Sequence, residues 1–158
     1  MPGEFFEFSF DNFTFNSIEV SSGTYRIQNT GQNGSGNETF SLNINMVTNL
    51  KAEELELTGN HAYTLEVVPN PADPRDNQLV YQGSGSGVTQ GGLTFTQNIT
   101  SPLIRKSQAG CDEYFVQGSV LIQSPSLPYK LIDYGTGRCD NEASVTENGI
   151  TTTIYLTN

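Results

Sequence analysis

Apolar and polar residues alternate along most of this chain, and the alternation predicts strands. In residues 4–20, Phe6, Phe8 and Phe10 are separated by Glu7 and Ser9, and Phe13 and Phe15 by Thr14. A period of two puts each set on one face of a strand. The phase slips from even to odd positions at Asp11-Asn12, where a bulge or turn would return the second set to the face of the first. The segment reads as a first core strand or hairpin, or, more sharply, as an extended strand offered to another subunit. A cleaner half-buried pattern follows at 39–47, where Phe40, Leu42, Ile44 and Met46 alternate with Ser41, Asn43 and Asn45.

Breakers divide the rest. The run GQNGSGN at 31–37 is a loop tip after a short strand at 25–28. Residues 50–58, LKAEELELT, hold the one stretch with helix formers. It predicts either a single helical turn or a strand built on Leu55 and Leu57. Strand resumes at 61–68, and PNPADPRDN at 69–77 interrupts it, because proline lacks the ladder donor. That loop is the best candidate for a sub-boundary, but the similar composition on either side favours a single domain over 1–158. Strands at 79–84 and 93–100 flank GSGSGVTQGG, which reads as a flexible hairpin tip, and strands at 114–122 and 129–134 flank SPSLP. The last two strands, 143–146 and 150–156, close around Asn148-Gly149, the pair a type I′ turn demands because both central residues need positive φ. About nine or ten strands with turn signals every ~8–12 residues predict an all-β antiparallel sandwich or flattened barrel with at most one short helix.

Composition changes this picture little. A chain of 158 residues fits one domain with a real core. Hydrophobic residues are 35% and charged residues 15%, so the polarity comes from Thr, Ser, Asn and Gly, as half-wet strands and tight turns require. The charge says more. At a net −10, with 7 Lys and Arg scattered and no basic run longer than Arg105-Lys106, the chain has no face for phosphates. Nucleic acid and anionic membrane surfaces are therefore not expected as partners. No apolar run approaches the ~20 residues that span a bilayer, so no transmembrane segment is expected. The start, MPGEFFEFSF, has neither the basic nor the continuous apolar region of a signal peptide. The expectation is a mature fragment of an exported protein with an added start, the alternative being a cytosolic chain.

The two cysteines, Cys111 and Cys139, allow one connectivity. A disulfide closing that ~28-residue loop would stabilise the fold by roughly 3–4 kcal/mol. Both stand at strand ends beside polar residues, which favours the bond over two free buried thiols and points to an oxidising compartment.

Candidate chemistry is thin. Asp133, Asp140 and Glu142 flank the turn Gly135-Thr136-Gly137, and an Asp/Gly-rich turn can supply oxygens to Ca²⁺. Their spacing does not fit the twelve-residue EF-hand loop, and turn capping by Asp is the plainer reading. Asp73 and Asp76 form a weaker candidate of the same kind. His61 is the only histidine, so a Ser-His-Asp triad would have to use it, but no Gly-x-Ser-x-Gly elbow sits between a strand and a helix. It reads as a loop residue at a strand entrance. Zinc would need more His or Cys than exist. Glu53, Glu54, Glu56, Glu66 and Glu113 could supply a hydrolytic carboxylate pair, though spacing alone brings none of them together. Tyrosines at 25, 63, 81, 114, 129, 134 and 155 could stack on sugars; Tyr114, Tyr129, Tyr134 and Tyr155 are expected instead to pack across adjacent strands. No catalytic residue and no cofactor is assigned.

The stretch NITSPLIRK (98–106), then Cys111, the strand Val116-x-Gly118-x-Val120-x-Ile122, the block DYGTGRCDNEASV (133–145) and finally NGITTTIYL form a recognisable series. Over residues 79–156 it resembles the C-terminal half of a group of uncharacterised exported β-domain proteins of Bacteroidetes, often lipoproteins. The resemblance implies export, a Cys111–Cys139 disulfide and an all-β domain, and it brings no catalytic residues. Relatives often carry an acidic residue where this chain has Thr136, which counts against a metal in that turn. The expected function is a non-enzymatic cell-surface or extracellular structural or interaction module, a subunit that meets a protein partner or its own kind through Phe6, Phe8, Phe10, Phe13 and Phe15. A carbohydrate-binding module that takes a glycan on its tyrosines is the alternative, and a carboxylate-based glycoside hydrolase the third expectation.

Overall fold

The computed structural model describes residues 1–15, 18–50, 55–73, 76–108 and 111–156. The helical turn considered at 51–54, with Glu53 and Glu54, lies outside these residues, as do the side chains of Phe15 and Glu56. The chain is all-β. Ten antiparallel strands form one sheet in the order of the sequence: β1 (Phe5–Phe15), β2 (Ile18–Gln32), β3 (Glu38–Leu50), β4 (Leu55–Val68), β5 (Gln78–Thr89), β6 (Thr94–Lys106), β7 (Gln117–Ser124), β8 (Leu127–Thr136), β9 (Glu142–Glu147) and β10 (Ile150–Tyr155). The sheet does not close: β1 pairs only with β2 and β10 only with β9. Leu55 and Leu57 begin β4, the strand alternative for that region. Residues 69–77 connect β4 to β5, which pair from Leu57↔Thr89 to Val68↔Gln78.

Register fixes two faces, since antiparallel partners point to the same side. The row Phe8–Tyr25–Ile44–His61–Gly85–Gln97 runs across six strands, and Phe6–Ile27–Leu42–Tyr63–Gly83 runs beside it. These rows make an apolar face. The alternate residues make a polar face, with Thr24–Asn45–Asn60–Ser86–Thr96–Gln123 as one unbroken row. The phase slip in β1 resolves as an irregularity shared with β2. Asn12, with φ 50, and Ser21 both stand unpaired between Asp11↔Ser22 and Phe13↔Val20, so β1 and β2 keep one register, and the bulge proper is in β2 against β3, between Val20 and Ser22. Beyond it Phe13 returns to the apolar face, its ring 5.7 Å from that of Phe10.

The Gly-rich stretch after Gln82 corrects a sequence expectation. Gly83, Gly85 and Gly87 are interior to β5, not a hairpin tip; the turn comes later, where Gly92 N–H donates to Thr89 O over 2.8 Å. Glycine weakens a bare strand, but here rings cover it. A Cβ on Gly85 would fall inside the His61 ring, one on Gly87 would meet the Phe95 ring, and one on Gly83 would meet Tyr63. His61 is accordingly in the middle of β4 and not at a strand entrance. The Asn148-Gly149 hairpin is as expected, with φ 51 and 76 at its central residues.

Among the described residues the buried apolar side chains are Leu42, Leu103, Cys111, Val116, Val120 and Ala143. Leu42, Leu103, Val120 and Ala143 belong to the apolar face. At one end of that face the loop between β6 and β7 folds over, held by the Cys111–Cys139 disulfide with a Cα–Cα distance of 4.9 Å. Phe115 in this loop meets Tyr81 and Tyr134 edge-on at 5.5 and 5.4 Å. Further along this face the side chains of Tyr25, Ile44, His61 and Tyr63 are half-buried. The surface reflects this: a compact 17.2-kDa chain is expected to expose about 7,800 Å², whereas this one exposes 9767 Å².

Candidate functional site

Three surfaces emerge from this architecture. The first is the β1 edge. Glu4 O accepts from Asn29 N–H over 2.9 Å. By the two-residue alternation of the ladder, Phe6 and Phe8 turn their backbone groups to β2, while Glu7 and Ser9 turn theirs to solvent. The same strand presents Phe6 at 69% exposure, Phe8 at 52% and Phe13 at 47%. Of the interaction residues expected from sequence, Phe6, Phe8, Phe10 and Phe13 therefore share one face. Phe5 points the other way, with the Arg26 guanidinium 4.0 Å above its ring.

The second surface is the apolar face between β2 and β6. Its centre is a small polar cluster. Gln97 Nε2 donates to Tyr63 Oη over 3.2 Å, and Tyr63 Oη lies 3.0 Å from His61 Nδ1. The rings of His61 and Tyr63 stack at 5.8 Å. Burial pushes the His61 imidazole below its ordinary value and the Tyr63 hydroxyl above its own. Burial raises Tyr25 and Tyr134 likewise, and raises Tyr81 against the opposing charge of Arg105. Among the described residues no serine or carboxylate completes a triad around His61, whose hydrogen-bond partner is the Tyr63 hydroxyl.

The third surface is a shallow trough of 930 Å³ on the polar face. It crosses β1 to β6 and is lined by neutral amides and hydroxyls such as Asn43, Asn45, Asn60, Ser84, Ser86 and Thr96, with Glu7 and Arg26 at one side. Local sequence reading missed it, because its rows exist only once the register is known. The signal was present as the polar half of each alternation.

The other sequence candidates scatter. Asp133, Asp140 and Glu142 line one 410 Å³ pocket together with Arg138. Asp133 Oδ1 accepts from Gly135 N–H over 2.8 Å and Asp140 Oδ1 from Glu142 N–H over 3.3 Å, which is turn capping. No group of three His, Cys, Asp or Glu close enough to hold a metal ion occurs among the described residues. Asp76 accepts from the Asn70 amide over 3.2 Å, and its N–H donates to Asp73 O over 2.9 Å. Glu66 takes the amides of Asn33 and Asn37 at 2.8 and 2.6 Å, closing the β2–β3 loop. Of the tyrosines expected to pack across strands, Tyr134 meets Phe115, whereas Tyr129 and Tyr155 are largely exposed and Tyr114 lies in the loop before β7. No helix among the described residues is long and apolar enough to cross a membrane. Compared with protein-family models, curated proteins and solved structures, the chain matches none.

Proposed function

We propose that this chain is a non-enzymatic, exported structural or interaction module that joins a cell-surface or extracellular assembly by adding its β1 edge to the sheet of a partner, a second copy included. The observation that carries the reading is the irregular edge strand. β1 is 11 residues long, ends the sheet, and keeps Phe6, Phe8, Phe10 and Phe13 in one row because the irregularity at Asn12 absorbs the phase slip. An open edge with a free ladder and an apolar row is what strand addition uses. The disulfide, the acidic surface and the resemblance of residues 79–156 to exported Bacteroidetes β-domain proteins support export. The test is light scattering coupled to size exclusion on the full chain and on Ser9→Pro. Proline there removes an outward N–H and leaves the bonds to β2 intact. Species that Ser9→Pro dissolves are expected; a distribution that this change leaves untouched refutes strand addition at β1.

A second reading, carbohydrate binding, is favoured by the trough. Rows of neutral amides and hydroxyls repeat at the ~4.8 Å strand spacing, and they offer donors and acceptors to an uncharged glycan laid across β2 to β6. A glycan array probes it, and binding that survives Asn45→Ala with Asn60→Ala would exclude the trough as its seat.

A further inference from the structure

On the apolar face between β2 and β6 the side chains of Tyr25, Ile27, Ile44, His61 and Tyr63 stay only half-buried, and this surface is separate from the backbone edge of β1. The geometry points to a second copy of this chain as its cover: two copies lay their apolar faces together about a twofold axis and form a two-layer sandwich centred on His61. Area is the first argument. The chain exposes 9767 Å², roughly 2,000 Å² beyond a compact chain of its mass. A stable pair of chains removes ~600–1,000 Å² from each copy, less than the excess each copy carries.

Packing is the second argument. Sheets stack about 10 Å apart with side chains of both inner faces between them. Rings of His61, Tyr63 and Phe95 lie over the glycine stripe of β5, so the middle of the face offers side chains where β5 itself has none. Charge is the third. The chain carries −10, which opposes self-association through most of its surface. The rows through Tyr25, Ile44 and His61 and through Ile27, Leu42 and Tyr63 carry no carboxylate, so like charge does not reject a twin at this face. The central polar atoms are already bonded among themselves, Gln97 to Tyr63 and Tyr63 to His61, which lowers the cost of drying them.

The experiment is sedimentation velocity over a dilution series of the full chain, His61→Asp and Ser9→Pro. The wild type is expected to dissociate to monomer on dilution through a dimer, and Ser9→Pro to retain that dimer. His61→Asp sets a carboxylate at the middle of both faces and is expected to raise the dissociation constant at least about a hundredfold. Far-UV circular dichroism checks that it folds; should it not, Gln97→Glu places the same charge one row-neighbour away. A wild-type monomer at every concentration overturns the inference. So does a dimer that both charged variants leave intact, and one that Ser9→Pro abolishes while they do not returns the association to the β1 edge. A monomer that coats phosphatidylcholine vesicles would assign the face to lipid and overturns it equally.

Discussion

Replacing both cysteines, Cys111→Ala with Cys139→Ala, probes the one covalent link in the fold. The bond joins positions 28 apart in sequence, and closing a loop of that length removes denatured-state entropy worth about 3.6 kcal/mol at 25 °C. Cys111 is 2% exposed, so losing its sulfur leaves a small void as well. This adds about 1 kcal/mol. A domain with a stability of ~5–15 kcal/mol would lose a quarter or more of it. The structural effect is local. The link holds the loop that sets Phe115 between Tyr81 and Tyr134 over the end of the apolar face. Urea unfolding followed by far-UV circular dichroism gives the change in stability, and the near-UV tyrosine signal reports the loop. The expected result is a loss of roughly 3.5–4.5 kcal/mol with an m-value that rises as the denatured chain opens. A loss below about 1 kcal/mol would refute the reasoning, because the denatured chain would then not gain the freedom the link denies it.

Other expectations follow from the ring-covered stripe and the irregularity in β1. Gly85→Ala forces the His61 ring off the sheet and is expected to cost about 1–3 kcal/mol in urea unfolding; in a His61→Ala background most of that cost should vanish, and a cost that persists would mean the ring does not fill the site. Burial holds the His61 imidazole below its ordinary 6.5 in the fold, while the unfolded chain titrates near that value. The unfolded state then binds more protons between the two, so stability falls as pH drops below 6.5 and is flat in this respect above it. His61→Gln should remove that component of a pH series. Deleting Asn12 should turn Phe13 to the polar face and lower the unfolding midpoint, and an unchanged midpoint would mean the irregularity has no packing role.

What could be seen in the sequence was whatever depends on near neighbours. Alternation gave the strands and the polar and apolar halves of each, the slip at Asp11-Asn12 gave the irregularity in β1, and Asn148-Gly149 gave the last hairpin. The Cys111–Cys139 pairing followed from there being only two cysteines. Three features depended on register and were hidden. Gly83, Gly85 and Gly87 looked like a loop because the rings that cover them come from β4 and β6, up to 24 positions away in sequence for His61 and Gly85. Alternation told which residues share a face but not that all ten strands would join one hydrogen-bonded sheet in chain order. The polar trough needed six strands in register before its rows existed. His61 and the carboxylates show the same limit from the other side: chemistry singled them out, and the fold brings only Asp133, Asp140 and Glu142 around one pocket.

Amide hydrogen exchange across a concentration series tests the assembly reading most directly. The amides of Phe6 and Phe8 bond to β2 and should be slow throughout. Those of Glu7 and Ser9 face away from it and should pass from fast to slow exchange as concentration rises and a partner strand takes them up. Fast exchange at Glu7 and Ser9 under every condition, with Phe6 and Phe8 protected, would contradict the account.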